Sequence, residues 1–211
     1  RYVDANVASS GDGRTWRSAY GTLAAALNAV DQSSGAFDIY VADGTYVPAG
    51  DDQNATFAVP AGTRLYGGYS GEEVRRNPDD NTRDLANHPS VLSGDRNGDD
   101  DSGGGVGDNC YHVVTGAAGI VLNGFTITAG NAAGAFLADP GLTDVERIAP
   151  VIGGGLLIPI LDTPGKAKIW ECTFTENQAQ YGGAAFIGDA SAGFFDCTFT
   201  GNTASVKRSG G

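Results

Sequence analysis

The chain has 211 residues, a formal net charge of −12, 33 glycines and no methionine. So acidic a chain repels nucleic acid and anionic lipid headgroups, and we expect neither as a partner. No stretch approaches the roughly 20 apolar residues of a membrane-spanning helix, so no membrane insertion is expected. The length fits a single domain over residues 1–211 with a core of its own.

The N-terminal segment, residues 1–37, contains the one stretch predicted to be helical. A strand signal at Arg1–Ala5 comes first, and Thr15 then stands where it would cap a helix running to about Val30. Apolar side chains recur there at spacings of three and four and form one stripe, made of Trp16, Tyr20, Leu23, Ala26, Leu27 and Val30.

Short extended runs punctuated by Gly, Asn and Asp make up the rest of the chain. In residues 38–131 the predicted strands are Asp38–Ala42, Thr45–Val47, Thr56–Val59, Arg64–Tyr69, Ser90–Leu92, Tyr111–Thr115, Ile120–Leu122 and Phe125–Thr128. In residues 151–211 they are Gly155–Ile158, Ala167–Trp170, Cys172–Thr175, Ala184–Ile187, Gly193–Phe195 and Cys197–Thr200. An acidic loop at 95–109 and a looser insertion at 132–150 interrupt the series.

One segment of the chain is repeated. Glu171–Ala179 reads ECTFTENQA and Asp196–Ala204 reads DCTFTGNTA, so that Cys172 and Cys197 stand 25 positions apart. A looser copy lies upstream at Gly124–Ala132. A period in the twenties built from short strands indicates a solenoid, here with coils of about 25–28 residues. A leucine-rich repeat shares that period, but its regular leucines are missing.

The repeat also predicts how successive coils stack. Equivalent residues of neighbouring coils should lie about 4.8 Å apart, which is the spacing of paired strands. Phe174 is therefore expected to stack on Phe199 and on Ile127 in the interior. Asn177 and Asn202 are expected to bond coil to coil as an amide ladder. The glycine pair after each copy should supply a positive φ at the next corner.

A series of motifs resembles the N-terminal part of large secreted bacterial β-helix proteins of the pectate-lyase-like superfamily. These motifs are Tyr2–Ala5, Gly11–Tyr20, Leu23–Leu27, Ile39–Pro48, Leu65–Gly71, Val91–Asp95, Tyr111–Val114 and Leu122–Thr128. The repeated Cys-Thr-Phe-Thr-x-Asn-x-Ala is similar to the polymorphic outer-membrane protein repeat. The resemblance implies an all-β, right-handed parallel β-helix (a solenoid) with one N-terminal capping α-helix. Known members include surface proteins, adhesins and polysaccharide-degrading enzymes, so it implies a fold more than an activity.

The acidic loop is the best candidate for a binding site. Its oxygen-bearing side chains alternate as in calcium loops, where side chains at odd positions converge on the ion. The loop lacks the glycine placement, the terminal Glu and the flanking helices of an EF-hand, and a solvated acidic loop is the alternative. We predict calcium as the cofactor, bound by Asp95, Asn97, Asp99, Asp101 and Asp108.

No catalytic residue is assigned. The basic side chains that a lyase would require match no motif; they are Arg64, Arg75, Arg76, Arg83, Arg96, Lys166, Lys168, Lys207 and Arg208. His88 and His112 lack a nucleophilic partner pattern. A disulfide between Cys172 and Cys197 is left open.

An aromatic set offers a sugar-stacking face, although packing in the core or cap is the favoured interpretation; it consists of Tyr2, Tyr66, Tyr69 and Trp170.

The chain closes on Gly210–Gly211, and in the two earlier repeats such a glycine pair precedes another strand. Either further coils follow in a longer protein, or the final coil is open and acts as a template for another copy. We expect a secreted structural or surface module, extracellular or cell-surface, that is stabilised by calcium and assembles into filaments. Its partner would be itself, head-to-tail or laterally, or a cell-surface polysaccharide. The alternatives are a polysaccharide lyase or hydrolase and a glycan-binding adhesin.

Overall fold

The computed structural model describes residues 1–30, 37–50, 52–72, 83–134, 141, 148–159, 165–188 and 191–205. Within these ranges the protein is all-β, because parallel strands dominate and one α-helix, α1 (Leu23–Asn28), has its bounds described. None of the described helices is long and apolar enough to cross a membrane.

The strands of the described residues are short, and the longest of them has six residues. In chain order they are β1 (Tyr2–Val3), β2 (Asp38–Ala42), β3 (Gly44–Tyr46), β4 (Phe57–Val59), β5 (Arg64–Tyr69), β6 (Ser90–Ser93), β7 (Val114–Gly116), β8 (Val121–Asn123), β9 (Phe125–Thr128), β10 (Asn131–Ala132), β11 (Leu156–Ile158), β12 (Lys166–Trp170), β13 (Thr173–Thr175), β14 (Gln178–Ala179), β15 (Ala185–Ile187), β16 (Ser191–Phe195), β17 (Thr198–Thr200) and β18 (Thr203–Ala204).

The strands of the described residues form four parallel sheets. The six-stranded sheet has the order β1-β2-β5-β8-β12-β16, and the five-stranded sheet has the order β3-β6-β9-β13-β17. The four-stranded sheet has the order β4-β7-β11-β15, and the three-stranded sheet has the order β10-β14-β18. Along the chain, a strand of the six-stranded sheet is followed by a strand of the five-stranded sheet and then by strands of the other sheets. This order repeats, and each new strand pairs with the equivalent strand of the preceding passage. We call each such passage a round.

The core lies between the sheets and is built in columns of equivalent residues. Along the five-stranded sheet the register aligns Leu92 with Ile127, Ile127 with Phe174 and Phe174 with Phe199. The rings of Phe174 and Phe199 stack with centroids 5.1 Å apart and planes inclined by 7°. The predicted stacking is therefore confirmed, and Phe174 and Ile127 lie in the interior, whereas Phe199 is exposed. Burying such a side chain contributes about 1.5–3 kcal/mol, so the columns supply much of the stability.

The predicted amide ladder is present at the corner after the five-stranded sheet. Nδ2 of Asn177 lies 2.9 Å from Oδ1 of Asn202, and Oδ1 of Asn177 accepts a hydrogen bond from the Gly130 amide at 3.0 Å. The glycine pairs also behave as predicted, because Gly153 and Gly182 have φ angles of 61° and 63°. Glycine adopts this left-handed conformation without steric cost.

The N-terminal helix is shorter than predicted. Thr15 does cap a helical turn, but this is a 3-10 turn of three residues, Trp16–Ser18, and α1 begins afterwards with Thr22 as its cap. Between them the backbone of Tyr20 pairs with β1, accepting from Asp4 and donating to Tyr2, both at 2.9 Å. These hydrogen bonds at the sheet edge replace the ones that a continuous helix would make.

The apolar stripe of the helix is divided between two clusters. Leu23, Ala26 and Leu27 enter the main core, where α1 contacts the edge strands β1 and β4. Trp16 instead packs outside the sheet against Tyr2, with ring centroids 4.6 Å apart. The N-terminal segment therefore covers the first strands of two sheets, as a cap does.

Three strands were not predicted, namely β10, β14 and β18. Each has two residues, which is too short for a period of alternation to be recognised. Cys172 and Cys197 are free thiols, as is Cys110. The predictions about Arg75, Arg76, Lys207, Arg208, Gly210–Gly211 and most of the 132–150 insertion lie outside the described residues.

Candidate metal centre

The acidic loop leaves and rejoins the strands at a single corner. The Cys110 amide donates to the Gly94 carbonyl at 3.0 Å, which closes the base of the loop. Two hydrogen bonds join this corner to the corner of the following round. The Gly94 amide donates to the Thr128 carbonyl at 2.9 Å, and the Asn131 amide donates to the Cys110 carbonyl at 2.7 Å. There the two residues Ala129–Gly130 span the same corner, so the whole acidic loop is an insertion into an otherwise tight turn.

Three carboxylates converge inside the loop. Asp95, Asp99 and Asp100 each place one carboxylate oxygen within 4.8 Å of the others. The backbone of the loop fixes the Asp95 side chain, because Oδ1 of Asp95 accepts hydrogen bonds from the amides of Gly98 (2.8 Å) and Asp99 (3.3 Å). An Asp side chain that bonds to amides a few residues ahead stabilises a turn. Gly98, with φ of 73°, allows the bend that brings Asp99 and Asp100 back toward Asp95.

Three side-chain oxygens at this site are buried and have no hydrogen-bond partner. They are Oδ1 of Asp99, Oδ1 of Asp100 and Oδ1 of Asn109. Asn109 is completely buried, and its Nδ2 donates to Oδ2 of Asp100 at 2.8 Å, which brings its carboxamide against the carboxylate cluster. Buried oxygens without a partner are uncommon in folded proteins, and a bound ion or an ordered water is one explanation for them.

The electrostatics of the loop also favour a cation. Burial raises the pKa of the Asp100 carboxyl, and the negative charges of Asp95, Asp108 and Asp99 raise it further, against the lowering effect of the Asn109 hydrogen bond. A carboxylate in this position is destabilised by its neighbours when ionised. A bound cation would remove that repulsion.

The loop is pinned to the rest of the protein at three points. Nε2 of Gln53 donates to the carbonyls of Gly107 (2.9 Å) and Asn109 (3.0 Å). Arg96 donates to the carbonyl of Gly50 at 2.9 Å, and Asn131 donates to that of Val106. Groups that hold ligands in place lower the conformational cost of binding. The cluster is thus carried by a loop that is anchored to neighbouring rounds.

The structure brings two of the five predicted ligands into the carboxylate cluster, Asp95 and Asp99. It also places Asp100 in the cluster and Asn109 in hydrogen-bond contact with Asp100, and the sequence indicated neither residue. Asp100 stands at an even position, so the alternating pattern passed over it, and it converges because a 3-10 turn starts there, Asp100–Ser102. Asn109 is distant in sequence and gave no signal.

The other three predicted ligands lie outside that cluster. The carboxamide of Asn97 donates through Nδ2 to Oδ2 of Asp99 at 2.9 Å, and thereby orients the carboxylate. Asp101 is exposed on the helical turn, and Asp108 is half-buried. Asp108 acts on the site through its charge.

Among the basic side chains and histidines of the described residues, Arg64, Arg83 and His112 make structural contacts. Arg64 forms a two-point ion pair with Asp38, at 2.5 and 3.0 Å. Arg83 donates to Glu171 at 3.0 Å and to Asn123 at 2.8 Å. His112 is within hydrogen-bond distance of the Gly153 carbonyl through Nδ1 (2.9 Å), and burial lowers its pKa to about 4. Its imidazole is therefore neutral at pH 7.

We compared the chain with protein-family models, curated proteins and solved structures, and none of them matches it.

Proposed function

We propose that the chain is a structural, extracellular or cell-surface module whose rounds are the coils of a right-handed parallel β-helix. The repeated order of the sheets, with every pairing parallel, supports this proposal. Crossovers between parallel strands of one sheet are right-handed in nearly all proteins, which supports the handedness. The repeated Phe and Asn side chains serve stacking and hydrogen bonding between rounds, as a structural solenoid requires.

We further propose that the acidic loop binds calcium and thereby strengthens the module. The observation that carries this step is the set of three buried oxygens without partners, two of which belong to the carboxylate cluster and the third to the adjacent Asn109. Calcium takes six to eight oxygen ligands in irregular arrangements, whereas magnesium requires a nearly ideal octahedron. An irregular loop with carboxylate, carboxamide and backbone oxygens suits calcium better.

The test is a calcium titration of chelator-treated protein by calorimetry, together with thermal unfolding in calcium and in chelator. We expect one binding event, and a melting temperature about 5–10 °C higher at a hundredfold excess over Kd, because a ligand of the folded state stabilises it by mass action. Absence of both effects at calcium on the order of 10⁻² M, above the Kd of weak extracellular modules, would overturn the proposal.

Matched variants locate the ion. Asp99→Asn and Asp100→Asn remove a charge from the cluster and should abolish the calcium-dependent rise in melting temperature. Asp101→Asn makes the same chemical change at an exposed neighbour in the same loop and should keep most of that rise. Equal losses in all three variants would show a diffuse effect of loop charge and no site.

Self-association belongs to the same proposal and is tested by sedimentation and negative-stain imaging with calcium and with chelator. Particles that remain monomeric at high concentration in calcium would remove the filament from the proposal. Double-bond absorbance after incubation with acidic polysaccharides distinguishes the alternative in which the chain is part of a lyase.

A further inference from the structure

Two of the three cysteines occupy equivalent positions in consecutive rounds. Cys172 comes directly before β13 and Cys197 directly before β17, and these two strands pair in parallel without a shift of register. The backbone has the same conformation at both points, because the preceding residues, Glu171 and Asp196, have φ angles of 50° and 51°. The Thr198 amide also donates to the Cys172 carbonyl at 2.9 Å. The two cysteines are therefore direct neighbours in one column.

Both side chains lie on the interior side of that column. Cys172 is buried in the main core, and the half-buried Cys197 packs against the same core. Sγ of Cys197 donates to the carbonyls of Ile169 (3.5 Å) and Phe195 (3.3 Å). Ile169 belongs to β12, in the same round as Cys172. The thiol of Cys197 is thus directed toward the round that contains Cys172.

The spacing of the column suits a disulfide. Aligned residues of paired strands are about 4.8 Å apart, and the Cα atoms of a disulfide are usually about 4.4–6.8 Å apart. The Cβ atoms must approach one another by roughly 1 Å, because those of a disulfide are about 3.8 Å apart on average. A bond closed in this way is strained and is more easily reduced than a relaxed one. The column therefore favours a disulfide that forms and opens reversibly.

We propose that Cys172 and Cys197 are a modification site, at which a low-molecular-weight disulfide oxidises the two thiols to a bond between the two rounds. Cys197 reacts first, because it is the more exposed thiol and because burial raises the pKa of Cys172 to about 12. The Cys197 thiol loses its proton to solvent, and its sulfur attacks the small disulfide. This step forms a mixed disulfide and releases one small thiolate.

The second step closes the bond between the rounds. Cys172 gives its proton to the released thiolate, and its sulfur then attacks Sγ of Cys197. The bond from Cys197 to the small molecule breaks, and the second small thiolate leaves and takes up a proton from solvent. Two protein thiols are oxidised in total, and one small disulfide is reduced to two thiols.

The bond would fasten a round that pairs on one side. Among the described strands, β15, β16, β17 and β18 each stand at an edge of their sheet and pair with one neighbour. All three residues of β17 are exposed. A cross-link across 25 positions of the chain restricts the unfolded state and so stabilises the folded one. The inference goes beyond the proposed structural function and involves none of the proposed calcium ligands.

The test starts from the fully reduced whole chain in chelator. The protein is incubated with oxidised glutathione, alkylated under denaturing conditions and digested for mass spectrometry. We expect the free thiols to fall from three to one per chain, with the peptides of Cys172 and Cys197 joined and Cys110 free. Dithiothreitol should restore all three thiols. The melting temperature of the oxidised protein should be about 5–10 °C above that of the reduced protein.

Three alanine variants make the test specific, each compared in its oxidised and reduced forms. Cys110→Ala is the matched control, because this buried thiol lies at the base of the acidic loop, and the variant should keep the full rise in melting temperature on oxidation. Cys172→Ala and Cys197→Ala should both lose that rise. Cys172→Ala should also retain glutathione on Cys197 as a stable mixed disulfide, whereas Cys197→Ala should leave the buried Cys172 unmodified.

Three results would overturn the inference. The first is a count of three free thiols after oxidation. The second is glutathione retained on Cys197 in the wild type without joined peptides, because the two sulfurs would then be unable to meet. The third is a cross-link to Cys110 or between two chains, which peptide mapping and a non-reducing gel detect. Because every step is run in chelator, failure here leaves the calcium proposal standing, and failure of calcium binding does not alter the thiol count.

Discussion

The corner after the five-stranded sheet is built in two ways within one chain. In the later rounds it is filled by Asn177 and Asn202, whose carboxamides hydrogen-bond to the backbone and to each other. In an earlier round the acidic loop occupies it, and three buried oxygens have no partner. Both corners are tied to their neighbours by backbone hydrogen bonds, so the difference lies in the side chains. A buried polar group without a hydrogen-bond partner is energetically costly. The Asn ladder satisfies its own hydrogen bonds, whereas the acidic loop leaves three buried oxygens unpaired and therefore favours the binding of a ligand.

Removing the ladder should have the largest effect on stability. Asn177→Ala deprives the Gly130 amide and the Ile127 carbonyl of a partner at a fully buried position. Each buried group left unpaired costs about 1–3 kcal/mol, so we expect the free energy of unfolding to fall by about 3 kcal/mol. Urea unfolding measures this loss, which should be equal in calcium and in chelator.

Asn202→Ala is the matched control, because the same side chain is half-buried one round later. Its loss should be smaller, about 1 kcal/mol, since water can replace the missing partners. If the loss of unfolding free energy in Asn177→Ala differed between calcium and chelator, the two corners would be coupled. That result would contradict the contrast between a self-sufficient ladder and a ligand-dependent loop.

The ladder was predictable from the sequence, and the acidic corner was predictable only in part. Asn177 and Asn202 recur with the period of the repeat, and equivalent positions of a repeat must stack. Asp100 and Asn109 converge through a helical turn and a long-range hydrogen bond, which leave no period to recognise. The predicted helix is longer than the observed one for a similar reason. The spacing of apolar residues does not reveal that the Tyr20 backbone pairs with β1.

Within the acidic loop, substituting a glycine that lies against a proposed calcium ligand should lower the calcium affinity more than substituting a glycine that does not. A Cβ at Gly104 would lie 1.9 Å from Oδ2 of Asp99, so Gly104→Ala must displace that carboxylate. We expect calcium affinity to fall about 10–100-fold, which is typical when groups that orient metal ligands are altered. Calorimetry measures the affinity, and unfolding in chelator should change by less than about 1 kcal/mol because the position is exposed.

Gly107→Ala is the control in the same loop. No atom lies within 4 Å of a Cβ at Gly107, so the substitution should leave the affinity for calcium unchanged. If both alanine variants bind calcium as the wild type does, Asp99 is not among the ligands.

The smallest effect we predict is the pH dependence of the calcium-free protein. The pKa of Asp100 is raised from its ordinary value of 3.8, first by burial and then by the neighbouring carboxylates. The folded state therefore takes up this proton at a higher pH than the unfolded chain does, and stability from this group is gained as pH falls through the raised pKa. That gain is complete below the unfolded value and is lost again as pH rises.

Other carboxyls act in the opposite direction, because hydrogen bonds lower the pKa values of Asp12 and Asp84, so their contribution is lost on acidification. The difference between the wild type and Asp100→Asn isolates the acidic loop, since Asp12 and Asp84 are common to both proteins. In chelator, the wild type should gain stability relative to the variant as the pH is lowered. In calcium the sign should reverse, because protons compete with the ion and its stabilisation is lost. Parallel pH profiles for the two proteins in chelator would show that the carboxylates of the loop do not repel one another, and the acidic corner would then be as self-sufficient as the ladder.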